Sequence, residues 1–224
     1  LTIGPDIAEV LPEVGTSFII IRDSGNVTGE YLAYKPNAQV TKPFIREFFL
    51  EAAAAYNTEM VGGDLIQFVT TSDKFYVMNR TARMFEDAVI QYDVVLYKTN
   101  EVISILRPSE IDDPASYRSR TIWTLIDSSV DALLTTPLYG NSLDTDEEIG
   151  LLGIENHEMY LPESIDIQIN DRIRLSDGSF LRVETIKKRR YSGMNVLDVG
   201  EDTRQWTTTS TTTSTTTSTT TTTA

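Results

Sequence analysis

The stretch Ile169–Arg204, INDRIRLSDGSFLRVETIKKRRYSGMNVLDVGEDTR, decides the fold. Asn170-Asp171 open a turn and Arg172–Leu175 make a short strand. Ser176-Asp177-Gly178-Ser179 form a tight hairpin turn, because Gly accepts the positive φ such turns need. A second strand is expected over Phe180–Ile186, where Phe180, Arg182 and Glu184 alternate with Leu181, Val183 and Thr185. A basic stretch, Lys187–Arg190, separates it from the turn at Ser192-Gly193 and from a third strand, Met194–Val199. Upstream, Ile165, Ile167 and Ile169 alternate after Tyr160-Leu161-Pro162, which predicts a strand leading into the unit. The unit is compact and all β, and it contains no catalytic constellation.

Working outward, the same pattern occurs once before. Gly63-Asp64-Leu65-Ile66-Gln67-Phe68 matches Asn170-Asp171-Arg172-Ile173-Arg174-Leu175, and Phe75–Met78 matches Phe180–Val183. This reads as a weak internal repeat of a small β-barrel or sandwich module. Around the first copy, strands are expected over Thr16–Arg22, Val27–Tyr34, Lys74–Asn79, Val89–Tyr97 and Glu101–Leu106. A short helix is expected over Pro5–Leu11, stopped by Pro12.

Thr41–Tyr56 (TKPFIREFFLEAAAAY) fits both a helical stripe and a strand. Its four consecutive alanines favour helix locally, and its β surroundings favour strand. Arg107–Ser116 is polar, holds two prolines and reads as a linker. After it, Arg120–Ile126 reads as a strand, Ser128–Thr136 as a short helix ended by Pro137, and Leu138–Ile149 as an acidic loop. The expected organisation is a β-rich module over 1–108 and a linker with helix and acidic loop over 109–158. A β-barrel-like unit over 159–206 and a Ser/Thr tail over 207–224 complete it. The fold class is mainly β, with one or two small antiparallel barrels or sandwiches and a few short helices.

Composition narrows the function. The net charge of −14 argues against a role in coating nucleic acid and against docking on anionic membranes. An acidic lining would still let DNA slide past without sticking. There is no cysteine, so disulfides, thiol nucleophiles and thiolate metal sites are absent. No apolar run reaches the ~18–20 residues that span a bilayer, and the first residues lack the layout of a signal peptide. Seventeen of the eighteen residues of Thr207–Ala224 are Ser or Thr, which cannot build a core. Thr favours extended backbone, so pairing of this tract with a neighbouring subunit is expected.

Few residues invite chemistry. His157 is the only histidine and sits in a polar context without a GxSxG or HExxH motif. Asp144, Asp146, Glu147 and Glu148 form a carboxylate cluster, but an EF-hand needs Gly where Ile149 stands. Lys187, Lys188, Arg189 and Arg190 are the only dense basic run. Against the acidic background they read as a docking contact for Asp144–Glu148 of another copy, in a head-to-tail interface that can close into a ring. Tyr76, Tyr92, Tyr97, Trp123 and Trp206 are read as core rather than as a sugar platform. No catalytic residue, cofactor site or metal site is assigned.

Met159–Arg204 resembles the head-closure and head–tail joining proteins of tailed bacteriophages. The shared run is a strand ending in Pro, an Asp-x-Ile turn and strand, an Asp-Gly hairpin and a Val-x-x-Ile strand. Thr41–Phe68 and Asp93–Pro108 are similar in tone to other phage virion proteins, and the likeness favours an extended Thr41–Tyr56. The chain is longer than the simplest such proteins and adds the Thr-rich tract. The resemblance implies a non-enzymatic virion protein of the phage neck, forming a six- or twelvefold ring. Its neighbours would be portal or adaptor and tail proteins, with DNA passing through unread and no membrane involved. The alternative is a tail, baseplate or surface β protein that binds a receptor or carbohydrate.

Overall fold

A computed structural model describes residues 3–35, 49–113, 118–135 and 157–204. After one helix, α1 (Ile3–Val14), six strands close a first barrel: β1 (Thr16–Ile21), β2 (Val27–Tyr34), β3 (Phe49–Ala55), β4 (Leu65–Phe68), β5 (Lys74–Phe85) and β6 (Ala88–Lys98). A second barrel holds β7 (Glu101–Asp113), β8 (Arg118–Thr135), β9 (His157–Pro162), β10 (Arg172–Arg174), β11 (Phe180–Tyr191) and β12 (Met194–Glu201). Both are antiparallel. The circular order is β1-β2-β3-β6-β5-β4 in the first and β7-β8-β9-β12-β11-β10 in the second. Each strand therefore has its counterpart six strands later. β4–β5 and β10–β11 are the two matched segments of the sequence repeat.

Alternation builds each core. In the first barrel Phe18, Ile20, Leu32, Ala52, Ala54, Ile66, Phe68, Val77, Val94 and Leu96 point inward. In the second, Ile103, Ile105, Val130, Ala132, Met159, Leu161, Ile173, Leu181, Val183, Leu197 and Val199 do so. Each large inward side chain contributes about 1.5–3 kcal/mol by leaving water. The chain crosses one end of each barrel between the third and fourth strands. Met60 and Ile167 drop from those crossovers into the cores.

Several expectations change here, but the alanine run keeps the extended form that the likeness favours: it is strand β3, because Ala52 and Ala54 are the inward residues between β2 and β6. Residues 41–48 lie outside the described part. The expected linker Arg107–Ser116 is instead hairpin: Arg107–Asp113 continue β7 and pair with Arg118–Thr124 of β8. Ser128–Thr136 is not a helix, since β8 runs through to Thr135. Val130, Leu133 and Leu134 mimic helical spacing because the end of β8 is buried on both faces. Ile165–Ile169 is crossover rather than strand, bracketed by turns in which Ile165 N–H donates to Pro162 O and Asp171 N–H to Gln168 O. The basic stretch is part of β11, not a break after Ile186. α1 runs on past Pro12 until Gly15 N–H donates to Leu11 O at 2.7 Å.

The barrels are joined through Lys98-Thr99-Asn100 and packed on each other. Tyr76, Met78, Leu133, Tyr160, Met194 and Val196 form a third apolar cluster between them, with Leu65, Val95, Tyr97 and Tyr191 against it. This is why Phe75–Met78 and Met194–Leu197 are buried on both strand faces. Polar bonds frame the cluster. Lys74 pairs with Asp131 at 2.6 Å, the Tyr76 hydroxyl donates to Asp131 O, and Asn100 exchanges two bonds of 2.8 Å with the backbone of Leu134.

Candidate functional site

The most distinctive construction is an Arg–Asp clasp built twice. Arg22 follows β1 and donates from Nε and Nη2 to Asp64 at 2.8 and 2.6 Å, and from Nη2 to Glu59 O at 2.8 Å. Arg107 on β7 donates to Asp171 at 3.1 and 3.0 Å and to Asp166 O at 3.3 Å. The carboxylates also hold their own turns: Val61 N–H reaches Asp64 at 2.7 Å and Gln168 N–H reaches Asp171 at 2.8 Å. Glu59-to-Asp64 and Asp166-to-Asp171 are thus the same crossover, clipped to the residue that follows Ile21 in one barrel and Leu106 in the other, which pair with Leu65 and Arg172. Both aspartates are buried, and a bidentate, multiply bonded pair suits that environment. The Asp171 and Asp166 carboxylates hold the Arg107 guanidinium firmly charged.

Sequence reasoning missed the clasp. Its signal was present as an Asp at the same place in both repeat copies, preceded by Gly63 or Asn170. Those residues have φ of 92° and 72°, and both Gly and Asn tolerate that region.

The basic run divides in two. Lys187 Nζ lies 2.6 Å from Asp198 and 3.2 Å from Glu158, and Arg190 lies 2.6 Å from Glu158. Burial pushes the Glu158 carboxyl up, but hydrogen bonds from Arg190 and Lys187 outweigh this and hold it below its usual range. Lys188 and Arg189 are exposed and make no such bond among the described residues. Half of the expected docking run therefore serves its own barrel. Asp144, Asp146, Glu147 and Glu148 lie outside the described residues, as do Trp206 and the Thr-rich tract.

The outer face of the second barrel carries a clamp that sequence reasoning also missed. Arg172 is fully buried, donates from Nε to Asp202 at 2.6 Å and from Nη2 to Arg204 O at 2.5 Å. Its guanidinium lies 3.9 Å from the Trp123 ring centroid, and that of Arg204 lies 4.8 Å from the same ring. Such stacking favours a desolvated cation. Burial pushes the Asp202 carboxyl up, yet hydrogen bonds from Arg204 and Arg172 hold it well below the usual carboxylate range.

A groove of about 670 Å³ runs between the barrels, past the Arg22–Asp64 clasp, the Asp127–Asp131 segment of β8 and the Pro162–Ile165 turn. Among the described residues no group of three or more His, Asp or Glu is placed to hold a metal. Tyr76 is buried and Tyr97 packs edge-on to Tyr160. Tyr92 lies under the Arg80 guanidinium at 3.6 Å, so these aromatics are covered from within. His157 starts β9, its backbone paired with Val199. No helix among the described residues is long and apolar enough to cross a membrane. Comparison with family models, with curated proteins and with solved structures finds no match.

Proposed function

We propose that the protein is a structural component of a tailed-phage neck, forming a ring that joins head to tail and lines or closes the DNA channel. The observation that carries this reading is the two-barrel block itself. Twin barrels clipped by the same clasp and cemented by a shared apolar cluster make one packed block. From it extends a long hairpin, β7–β8, whose strands run to Asp113 and from Arg118. A packed block with a long hairpin suits ring packing, and the acidic net charge suits a surface past which DNA slides. Lys188 and Arg189 are exposed and could meet an acidic neighbour.

The test is immunogold electron microscopy of source particles with antibody to the barrels, alongside negative-stain imaging of the purified protein. Gold at the head–tail junction and ring-shaped particles are expected. Gold at the distal tip or on fibres would transfer the protein to receptor binding, and unlabelled particles would end the phage reading.

A further inference from the structure

We infer that the outer edge of β8 over Thr121–Ile126 is a strand-acceptor site, and that its occupant is the Thr-rich segment Thr207–Ala224 of a neighbouring copy. The inference rests on the self-assembly part of the proposed function and specifies how copies hold one another. β8 pairs with β7 along Arg118–Ala132 and with β9 only over Leu133–Thr135. Among the described residues, its other edge from Arg118 to Ala132 faces no strand.

The sequence of that edge is unusual for one left open. Thr121-Ile122-Trp123-Thr124-Leu125-Ile126 has no charge, no Pro and no Gly, and consists of strand-forming residues. Leu125 is 56% exposed and Ile126 36%. Natural open edges carry Lys, Pro or a bulge to prevent unwanted pairing. Here β8 carries one register shift at Ile126 and a second beside Ser129, whose φ is 61°, so Thr121–Leu125 is left as a regular, uninterrupted stretch. The counterpart strand β2 has eight residues against eighteen in β8 and carries Glu30 on its course. The added length is therefore specific to the second barrel.

The place where the described chain ends points to the occupant. The described chain ends against β10, where Arg204 donates to Asn170 O and its carbonyl accepts from Arg172, and β10 lies across β7 from the open edge. A segment from there reaches its own Thr121–Ile126 only by crossing β7. Donated to the next copy, eighteen residues at ~3.3 Å each extend roughly 60 Å and can cover the whole edge. The tract offers β-favouring, uncharged Thr and Ser to an uncharged acceptor, and the added strand gains affinity from main-chain bonds. Edge of one copy and tail of the next make a head-to-tail contact, the kind that closes rings.

The test uses the full chain with the photo-crosslinking residue p-benzoylphenylalanine at position 125, prepared in normal and heavy-isotope form and mixed in equal amounts. After illumination and trypsin, position 125 is expected joined to the C-terminal peptide, with about half of the products pairing one light and one heavy chain. Leu125→Lys, an exposed change, and removal of residues 207–224 are each expected to weaken self-association at least tenfold while the thermal unfolding midpoint stays in place. Cross-links to 207–224 that are absent, or that occur only within chains of one mass, overturn the inference. Rings that still form without residues 207–224 overturn it too, and leave the neck reading standing. Light–heavy cross-links without rings would do the reverse.

Discussion

The two barrels share one plan, and their differences show which residues answer to the barrel and which to its surroundings. Gly63 and Asn170 occupy equivalent positions with φ of 92° and 72°. Either residue suits that backbone. The first barrel has glycine because Gly193 of the second barrel lies against it, so a Cβ there would collide with backbone atoms. Asn170 faces no other barrel among the described residues. The position two residues on tells the same story. Leu65 packs into the cluster between barrels, whereas its counterpart Arg172 is covered by Trp123, Phe180 and the Asp202–Arg204 segment.

The sharpest way to break this comparison is to exchange the turn residues. Gly63→Asn should cost about 3 kcal/mol or more, because it inserts a side chain against rigid backbone. Asn170→Gly should change stability by under about 1 kcal/mol, mostly through the unfolded chain. Urea denaturation followed by tryptophan fluorescence measures both. Equal effects at the two sites would mean that φ alone, and not the neighbouring barrel, selects glycine.

The clasps come next. Removing one partner of a buried ion pair leaves an uncompensated charge, so Asp171→Ala should cost about 3–5 kcal/mol. Asp64→Ala should cost less, nearer ~2 kcal/mol. The Asp64 side chain is 8% exposed against 1% for Asp171, and Arg107 binds Asp166 as well as Asp171. A reversed order in thermal or chemical unfolding would show that exposure does not rank the two clasps.

How much of this the sequence discloses follows from the range of the forces involved. The hairpin at Asp177-Gly178 and most barrel strands are local events, and alternation with turn chemistry reveals them. Gly178 takes φ of 88° and Asp177 accepts Ser179 N–H at 2.8 Å, both within four residues. β3 was ambiguous because alanine's local preference opposes the neighbouring strands that extend it. β8 was misread near Val130 because burial against two partners erases the period of two. The clasps and the Arg172 clamp join residues 30 to 64 apart in sequence. No local pattern encodes such a distance; only comparison of the two repeat copies hints at it. The Lys187–Arg190 run is visible, but its division between internal pairs and exposed cations depends on β12 lying beside β11 and β9 beside β12.

The smallest expected effect concerns acid, and it separates the barrels at a single position. Leu65 cannot titrate, but its counterpart Arg172 is tied to Asp202, whose carboxyl is held well below its ordinary value. A carboxyl lowered by folding contributes stability that is fully present above the unfolded value of about 3.9 and fades as pH falls towards the folded one. The second barrel should therefore lose part of its stability below about pH 4, with the loss deepening as Asp202 protonates and releases Arg172 and Arg204. Asp202→Asn should be less stable than the parent at neutral pH, and the gap should narrow steadily on acidification. Trp123 lies on both guanidinium groups, so its fluorescence should report the release directly. A gap that stays constant down to pH 2 would remove Asp202 as the source and shift attention to Glu158, whose carboxyl is also lowered.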